Sequence, residues 1–226
     1  MADISCVIFD LDGTLAQTNP LIFASFNHVA RRFLGKTLTP QEIVSLFGPP
    51  ELGGLQKLLG NGTAGEAMNE LCTYYRTHHS RLARLHEGIP QVLDLLRQRH
   101  TFVGLFTGKG HCTTRITLEA FGLLPYFDAI VTGDDVVHHK PRGEGIFRIL
   151  ERSGARTEHT LMVGDSAADI MAAREAGVRV AAALWDAFDR EHVLRAGPDL
   201  VFWSVREMHD WLGIHTNEKL DELLKE

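Results

Sequence analysis

Two aspartates, Asp10 and Asp12, directly follow a short apolar run near the start of the chain. That run, ISCVIFD at residues 4–10, is typical of a buried parallel strand. Carboxylates at the end of such a strand face the crevice in which open α/β sheets bind ligands. Paired carboxylates can act as nucleophile or acid–base catalyst and can hold a hard cation. The same residues, followed by Gly13, can also form an ordinary polar turn, so this segment alone leaves both interpretations open.

Three later segments repeat this placement at the ends of apolar runs. They are Thr107-Gly108-Lys109 after residues 101–106, Lys140 shortly after residues 129–132, and GDSAAD, with Asp165 and Asp169, after residues 160–163. Each has an ordinary explanation by itself, as a helix cap or a solvated loop charge, and Lys109 either adds positive charge or points to water. Because parallel strands end at one sheet edge, the repetition favours a common site.

Phosphoryl transfer is the chemistry that such a set of side chains suits. A phosphoryl group carries dense negative charge, so its transfer depends on positioning and on cations that neutralise that charge. Several carboxylates beside a phosphate would repel it unless a hard divalent cation lay between them. Carboxylate and carbonyl oxygens are the ligands that Mg²⁺ prefers, which makes Mg²⁺ the expected cofactor.

Strands that alternate with helices must position these residues. The strand-like runs lie at residues 4–10, 101–107, 129–132, 160–164 and 178–184, and DLVFW at residues 199–203 is a candidate edge strand. Helical patterns lie between them, at residues 91–99, 113–121, 144–152 and 167–176. This alternation predicts an α/β fold with an open, mostly parallel, Rossmann-like sheet and helices on both faces.

A long insertion separates the first two strands. A crossover connection needs only some tens of residues, whereas residues 16–86 intervene here and show helical spacing of apolar residues. We therefore predict a helical cap domain at residues 16–86 and a core domain at residues 1–15 and 87–226. The segment at residues 47–67 contains six glycines, which predicts mobile loops that could close over a ligand.

The segments DLDGTL, FTGK, HKP and GDSAAD, in this order, resemble the four signature motifs of the haloacid dehalogenase superfamily. The resemblance covers residues 4–184. The inserted helices and Gly48-Pro49-Pro50 are similar to the small α-helical cap of its phosphoglycolate phosphatase-like branch.

This resemblance implies a role for each residue. Asp10 is expected to be the nucleophile that forms an aspartyl-phosphate, and Asp12 the general acid and base. We expect Thr107, Gly108 and Lys140 to bind the phosphoryl group. Thr107 and Lys140 are also expected to be catalytic residues. The expected metal ligands are Asp10, the backbone carbonyl of Asp12, Asp165 and Asp169, the last either as a ligand or as a supporting residue.

The resulting expectation is a Mg²⁺-dependent phosphatase of a small phosphorylated metabolite, with phosphoglycolate as the first candidate. Asp12 favours phosphoryl transfer over dehalogenation, since expelling a halide needs no proton. Pyrophosphatase, sugar phosphomutase and a phosphate-binding module with little turnover remain alternatives. Substrate choice is expected to lie in the cap, whose polar candidates are Arg31, Arg32, Lys36, Gln56 and Lys57.

Composition narrows the remaining possibilities. The 226 residues are 44% hydrophobic and 23% charged, as in soluble globular proteins, and the net charge of −6 argues against a nucleic-acid partner. The apolar runs are too short for a membrane span, and the first residues do not resemble an export signal, so we expect a cytoplasmic protein without a membrane partner. It is expected to be a monomer or a homodimer. The three cysteines lack a CxxC spacing and are expected to be reduced thiols.

Overall fold

Six parallel strands form the central sheet of the protein, whose computed structural model describes residues 3–216. The spatial order is β5-β4-β1-β6-β7-β8. The strands are β1 (Cys6–Phe9), β4 (Phe102–Phe106), β5 (Ala129–Val131), β6 (Thr160–Gly164), β7 (Arg179–Ala183) and β8 (Leu200–Phe202). Strand β1 lies between β4 and β6, with Phe9 in register with Leu105 on one side and Val163 on the other. The run at residues 199–203 is an edge strand, as expected.

Ten α-helices complete the described part of the chain. Four follow the short strand β2 (Ala16–Gln17), namely α1 (Asn19–Leu34), α2 (Pro40–Val44), α3 (Glu51–Leu59) and α4 (Asn61–Leu82). The other six are α5 (Ile89–Gln98), α6 (His111–Ala120), α7 (Glu144–Ser153), α8 (Ala167–Glu175), α9 (Arg190–Arg195) and α10 (Val205–His215). Within the described residues, no helix combines the length and the apolar character needed to cross a membrane.

Successive side chains along each strand point to opposite faces of the sheet, and both faces are buried. On one face, Val7 and Phe9 of β1 pack in a core cluster with residues of α5 and α10, among them Leu93 and Met208. On the other face, Cys6 and Ile8 belong to a second cluster with residues of α7, α8 and α9. Helices therefore cover both faces, and the predicted fold class is confirmed.

The helices α1 to α4 are inserted between β1 and β4. They share an apolar cluster of their own, in which Phe26 and Val29 of α1 pack with Leu71 of α4. The chain enters and leaves this region through a two-stranded antiparallel ribbon of β2 (Ala16–Gln17) and β3 (Arg84–Leu85). This arrangement supports the division into a core and a cap at residues 16 and 86, which stays a prediction. We refer to residues 16–86 as the cap.

The glycine-rich segment at residues 47–67 is more regular than the sequence suggests. It contains the whole of α3 and the start of α4, so the prediction of mobile loops is wrong there. Gly54 is needed for close packing, because a Cβ at this position would lie 3.1 Å from the carbonyl oxygen of Leu46 and 3.5 Å from the Phe26 ring. Gly60, at a φ of 80°, separates the two helices.

Two of the three cysteines are paired, so the expectation of three reduced thiols is wrong for them. A disulfide joins Cys72 on α4 to Cys112 on α6, across 6.5 Å between their Cα atoms, while Cys6 is free and buried. The pairing depends on the packing of α4 against α6, which a separation of 40 residues in sequence does not reveal. The helical spacing of Leu220, Leu223 and Leu224 in the sequence predicts a C-terminal helix at residues 216–226, and this segment lies almost entirely outside the described residues.

Candidate active site

The candidate site lies at the carboxyl edge of the sheet, around the end of β1. The strand order reverses beside β1, since the chain passes from β1 to β4 and β5 on one side and returns to β6 on the other. Ligands of open α/β sheets bind at such a switch point. Thr107 directly follows β4 and is 1% exposed, and its backbone N–H donates to the carbonyl oxygen of Val131 at 3.0 Å. The side chains expected from four separated segments therefore converge here.

Lys140 holds two of the predicted aspartates together. Its Nζ donates to Oδ1 of Asp10 at 2.7 Å and to Oδ1 of Asp169 at 2.6 Å, and it lies 4.7 Å from the centre of the Phe106 ring. Burial alone would lower the pKa of Lys140, but the charges of Asp10 and Asp169 outweigh it, and the pKa lies above its ordinary value. Lys140 is therefore a fixed positive charge beside Asp10.

Asp169 owes its position to the local sequence at the start of α8. Ser166 is the N-cap residue and Asp169 the third residue of the helix, which gives a capping box. Oδ2 of Asp169 accepts from the Ser166 hydroxyl at 2.6 Å and from its backbone N–H at 3.1 Å, while Oδ1 faces Lys140. Both carboxylate oxygens of Asp169 already accept hydrogen bonds. Of the two roles expected for Asp169, metal ligand or supporting residue, this favours the supporting residue.

Asp165 packs against the turn that follows β1. Gly13 has a φ of 77°, and the space that a Cβ would fill is occupied by the carboxylate of Asp165. Trp185 holds the same turn by donating from Nε1 to the carbonyl oxygen of Thr14 at 3.1 Å. Gly13 of the DLDGTL segment is therefore required, because Asp165 of the GDSAAD segment lies directly against it.

Asp12 lies between two side chains that the sequence did not assign to it. The Thr18 hydroxyl donates to Oδ1 of Asp12, and Nζ of Lys109 lies 3.4 Å from its Oδ2. Lys109 is 6% exposed, so of its two expected orientations the inward one is correct. Burial would lower the pKa of Lys109, but the negative charges of Asp12 and Glu51 raise it above its ordinary value.

Glu51, the first residue of α3, reaches from the cap to the core. Its Oε2 accepts from the backbone N–H of Gly110 at 2.7 Å, its Oε1 accepts from the Thr113 hydroxyl, and Nζ of Lys109 lies 3.7 Å away. Glu51 could not be predicted from the sequence, because no strand-like run ends beside it. An acidic residue beside the Gly-Pro-Pro turn was the available signal.

The aspartates form a group that could hold a metal ion. One carboxylate oxygen from each of Asp10, Asp165 and Asp169 lies within 4.8 Å of the others. Burial, together with the mutual repulsion of these carboxylates, raises the pKa of Asp10 to about 7 and that of Asp165 well above its ordinary value. Buried carboxylates that resist ionisation, with oxygen donors alone, fit a hard divalent cation such as Mg²⁺. The side chain of Asp12 lies outside this group, which agrees with its expected contribution through the backbone only.

A cavity of about 320 Å³ opens over these residues. The core lines it with Asp10, Asp12, Thr107, Gly108, Lys140, Asp165 and Asp169, which are all of the predicted site residues. The cap contributes mainly α1 and the segment between α2 and α3. Arg31, Arg32, Lys36, Gln56 and Lys57, the polar cap residues proposed from the sequence, are exposed and do not line the cavity.

The model of the haloacid dehalogenase-like hydrolase family matches residues 7–183. The chain belongs to this family. The protein is therefore a haloacid dehalogenase-like hydrolase. The resemblance inferred from the four motifs is confirmed.

The relatives of this hydrolase cover nearly its whole length. Pyrophosphatase PpaX of Anoxybacillus flavithermus is 31% identical over 216 residues, which are 94% of this chain and 98% of the relative. Among solved structures, a predicted phosphoglycolate phosphatase from Haemophilus somnus has a TM-score of 0.81 at 21% identity, covering 93% of this chain and 99% of that one. CbbY from Rhodobacter sphaeroides, solved in complex with phosphate, has a TM-score of 0.78 at 21% identity, covering 91% and 96%. The two structures show that the fold is shared.

Proposed function

We propose that this hydrolase is a Mg²⁺-dependent phosphatase that hydrolyses a small phosphomonoester through an aspartyl-phosphate on Asp10. The observation that carries the proposal is the arrangement of Asp10, which is 8% exposed, lines the cavity and accepts a hydrogen bond from Lys140 at 2.7 Å. A buried carboxylate with a fixed cation beside it is suited to attack a phosphorus atom without repelling the phosphoryl oxygens.

In the first step, a carboxylate oxygen of Asp10 forms a bond to phosphorus while the ester P–O bond breaks. The leaving oxygen takes a proton from Asp12, so that a neutral alcohol departs. Thr107 and Gly108, with the backbone N–H groups of their loop, bind the phosphoryl oxygens, and Lys140 balances their charge. Thr18 and Lys109 hold Asp12 in position, as their contacts with its two oxygens indicate.

In the second step, water attacks the phosphorus atom of the aspartyl-phosphate. Asp12 accepts a proton from this water, the bond between phosphorus and Asp10 breaks, and inorganic phosphate leaves. Asp12 thereby regains the proton that it donated in the first step. The enzyme returns to its starting state, so one acid–base residue serves both halves of the reaction.

Asp10, Asp165 and the backbone carbonyl of Asp12 would hold Mg²⁺, with Asp169 supporting them through Lys140 and Ser166. When bound, Mg²⁺ supplies positive charge that offsets the repulsion between the aspartates and the phosphoryl oxygens.

Pyrophosphate hydrolysis is a second candidate, favoured by the relative named Pyrophosphatase PpaX at 31% identity. The same aspartate would attack one phosphorus atom, with the second phosphate as leaving group. A cytoplasmic location and a monomeric or homodimeric state remain predictions.

The proposal is tested by measuring inorganic phosphate released from a panel of phosphate esters, with Mg²⁺ and with a chelator. We expect Mg²⁺-dependent release that is lost in Asp10→Asn, because an amide oxygen is a poor nucleophile. Asp210→Asn, on the exposed side of α10, is the matched control and should retain activity. Equal release by Asp10→Asn and the wild type would contradict the proposal.

A further inference from the structure

The cap side of the active-site cavity is largely apolar. Two polar residues, Asn19 and Glu51, line it there. The apolar lining side chains come from α1 and the segment leading to α3, and they are Ile22, Phe23, Phe26, Val44, Leu46, Phe47 and Pro49. The rings of Phe23 and Phe47 lie 6.4 Å apart, centre to centre, in a tilted arrangement. A pair of aromatic rings on this wall offers a surface for an apolar or aromatic group.

Charge in the cavity is concentrated on the core side, where carboxylates outnumber ammonium groups. The described residues that line the cavity include five carboxylates and two ammonium groups. Of these seven charged groups, the cap supplies one, the carboxylate of Glu51. Both cations already have partners, since Lys140 contacts Asp10 and Asp169, and Lys109 contacts Asp12 and Glu51. A divalent cation and one phosphoryl group would leave no positive charge for a second anionic group.

Apolar side chains also remain exposed around the cavity. Phe188, in the loop between β7 and α9, is 73% exposed and lines the cavity from the core side, opposite the cap. Phe47 and Val44 on the cap are 41% and 36% exposed. Exposed apolar residues grouped at a pocket are typical of a ligand-binding surface. A substrate with an apolar body would cover them, whereas a small charged one would leave them in water.

We infer that the substrate is an ester with a single phosphoryl group on an uncharged, largely apolar organic group. This inference rests on the proposed phosphatase function and specifies its substrate class. We therefore expect pyrophosphate, and esters with a second anionic group such as phosphoglycolate, to be poorer substrates than esters whose organic group is uncharged. The phosphoryl group binds to the core residues, and the organic group packs against Phe23, Phe47 and Phe188.

The first experiment compares benzyl phosphate with phosphoglycolate and pyrophosphate. Benzyl phosphate and phosphoglycolate are both esters of an alkyl alcohol, so they differ chiefly in the apolar ring and the carboxylate. We expect kcat/KM for benzyl phosphate to exceed that for either anionic substrate by about tenfold or more, as apolar pockets discriminate to this extent. A smaller advantage, or none, would overturn the inference.

The second experiment places a cation on the apolar wall. Phe47→Arg, at a half-exposed position, is expected to lower kcat/KM for benzyl phosphate by about tenfold and to raise it for phosphoglycolate. Leu34→Arg is the matched control, since Leu34 is 42% exposed at the far end of α1 and does not line the cavity, and it should leave both values unchanged. If Phe47→Arg and Leu34→Arg behave alike while folding normally, the apolar wall does not select the substrate.

These experiments separate the two proposals. Failure of all three substrates to release phosphate above the Asp10→Asn background would overturn the phosphatase function and the substrate inference together. Hydrolysis of phosphoglycolate or pyrophosphate at the rate of benzyl phosphate or faster, dependent on Asp10, would support the phosphatase function and overturn the inference alone.

Discussion

Individual side chains at this site are held by opposite charges in a largely buried setting. Lys109 is the clearest case, because its ammonium group lies 3.4 Å from Asp12 and 3.7 Å from Glu51 and is 4.7 Å from the centre of the Tyr75 ring. A buried ion pair adds little net stability over apolar packing, but removing one partner leaves an uncompensated charge. Lys109 therefore links Asp12, the proposed general acid and base, to Glu51 of the cap.

Lys109→Met is expected to lower the free energy of unfolding by about 3 kcal/mol, because it leaves the carboxylates of Asp12 and Glu51 without their cation. Urea denaturation measures this change. Lys57→Met, on the exposed side of α3, is the matched control and should shift the free energy by less than about 0.5 kcal/mol. Equal stability of the two variants would mean that Lys109 does not compensate these carboxylates.

At the scale of the elements, the ends of strands and the starts of helices determine where each functional group lies. The capping box of α8 stabilises the helix and also contributes to the site, because Asp169 both takes part in the cap and contacts Lys140. Helix α10 has a similar N-cap far from the site, where Ser204 accepts from the backbone N–H of Glu207 at 3.2 Å. The two helices thus allow stability and activity to be separated.

Ser166→Ala and Ser204→Ala are each expected to destabilise the protein by about 1 kcal/mol through loss of a helix cap. Ser166→Ala alone should also lower kcat, by about tenfold, because Asp169 would no longer fix the position of Lys140. Thermal unfolding and phosphate release measured on both variants test this. A parallel loss of kcat in both, or in neither, would show that the cap does not position Lys140.

The sequence predicts those parts of the site that lie at strand ends. Asp10, Thr107 and Asp165 could be placed together because the carboxyl ends of parallel strands share one edge, and the alternation of buried faces gives the sheet. Glu51 and Thr18 could not be placed, because their contacts depend on how the cap packs on the core. The six glycines at residues 47–67 suggested loops, whereas close helix packing requires one of them at Gly54. The disulfide between Cys72 and Cys112 escaped detection for the same reason.

At the scale of the whole molecule, the cluster of aspartates is expected to make stability depend on pH and on Mg²⁺. Burial raises the pKa of Asp10 to about 7 in the folded protein, above its ordinary value of 3.8. The folded state therefore binds a proton that the unfolded state releases. The contribution of this group to stability is fully present below about pH 4 and is lost as the pH rises through about 7.

Mg²⁺ is expected to raise the melting temperature more at pH 8 than at pH 5.5, because a cation competes with the proton on Asp10 at the lower pH. Melting curves at both values, with and without Mg²⁺, measure the difference. Asp10→Asn is the comparison variant and should show a smaller Mg²⁺ effect with a weaker dependence on pH. A larger shift at pH 5.5 would contradict the assignment of Asp10 to the cation site.

The proposed reaction requires a covalent bond between phosphorus and Asp10, and trapping that bond tests it most directly. Asp12→Asn lacks the base that activates water, so it should accumulate the aspartyl-phosphate when it receives 4-nitrophenyl phosphate, whose leaving group needs no proton. After mixing with Mg²⁺ and acid quenching, mass spectrometry should find one phosphoryl group on the peptide that contains Asp10. Release of phosphate by the wild type, with no phosphoryl group on Asp10 in the variant, would contradict the central claim.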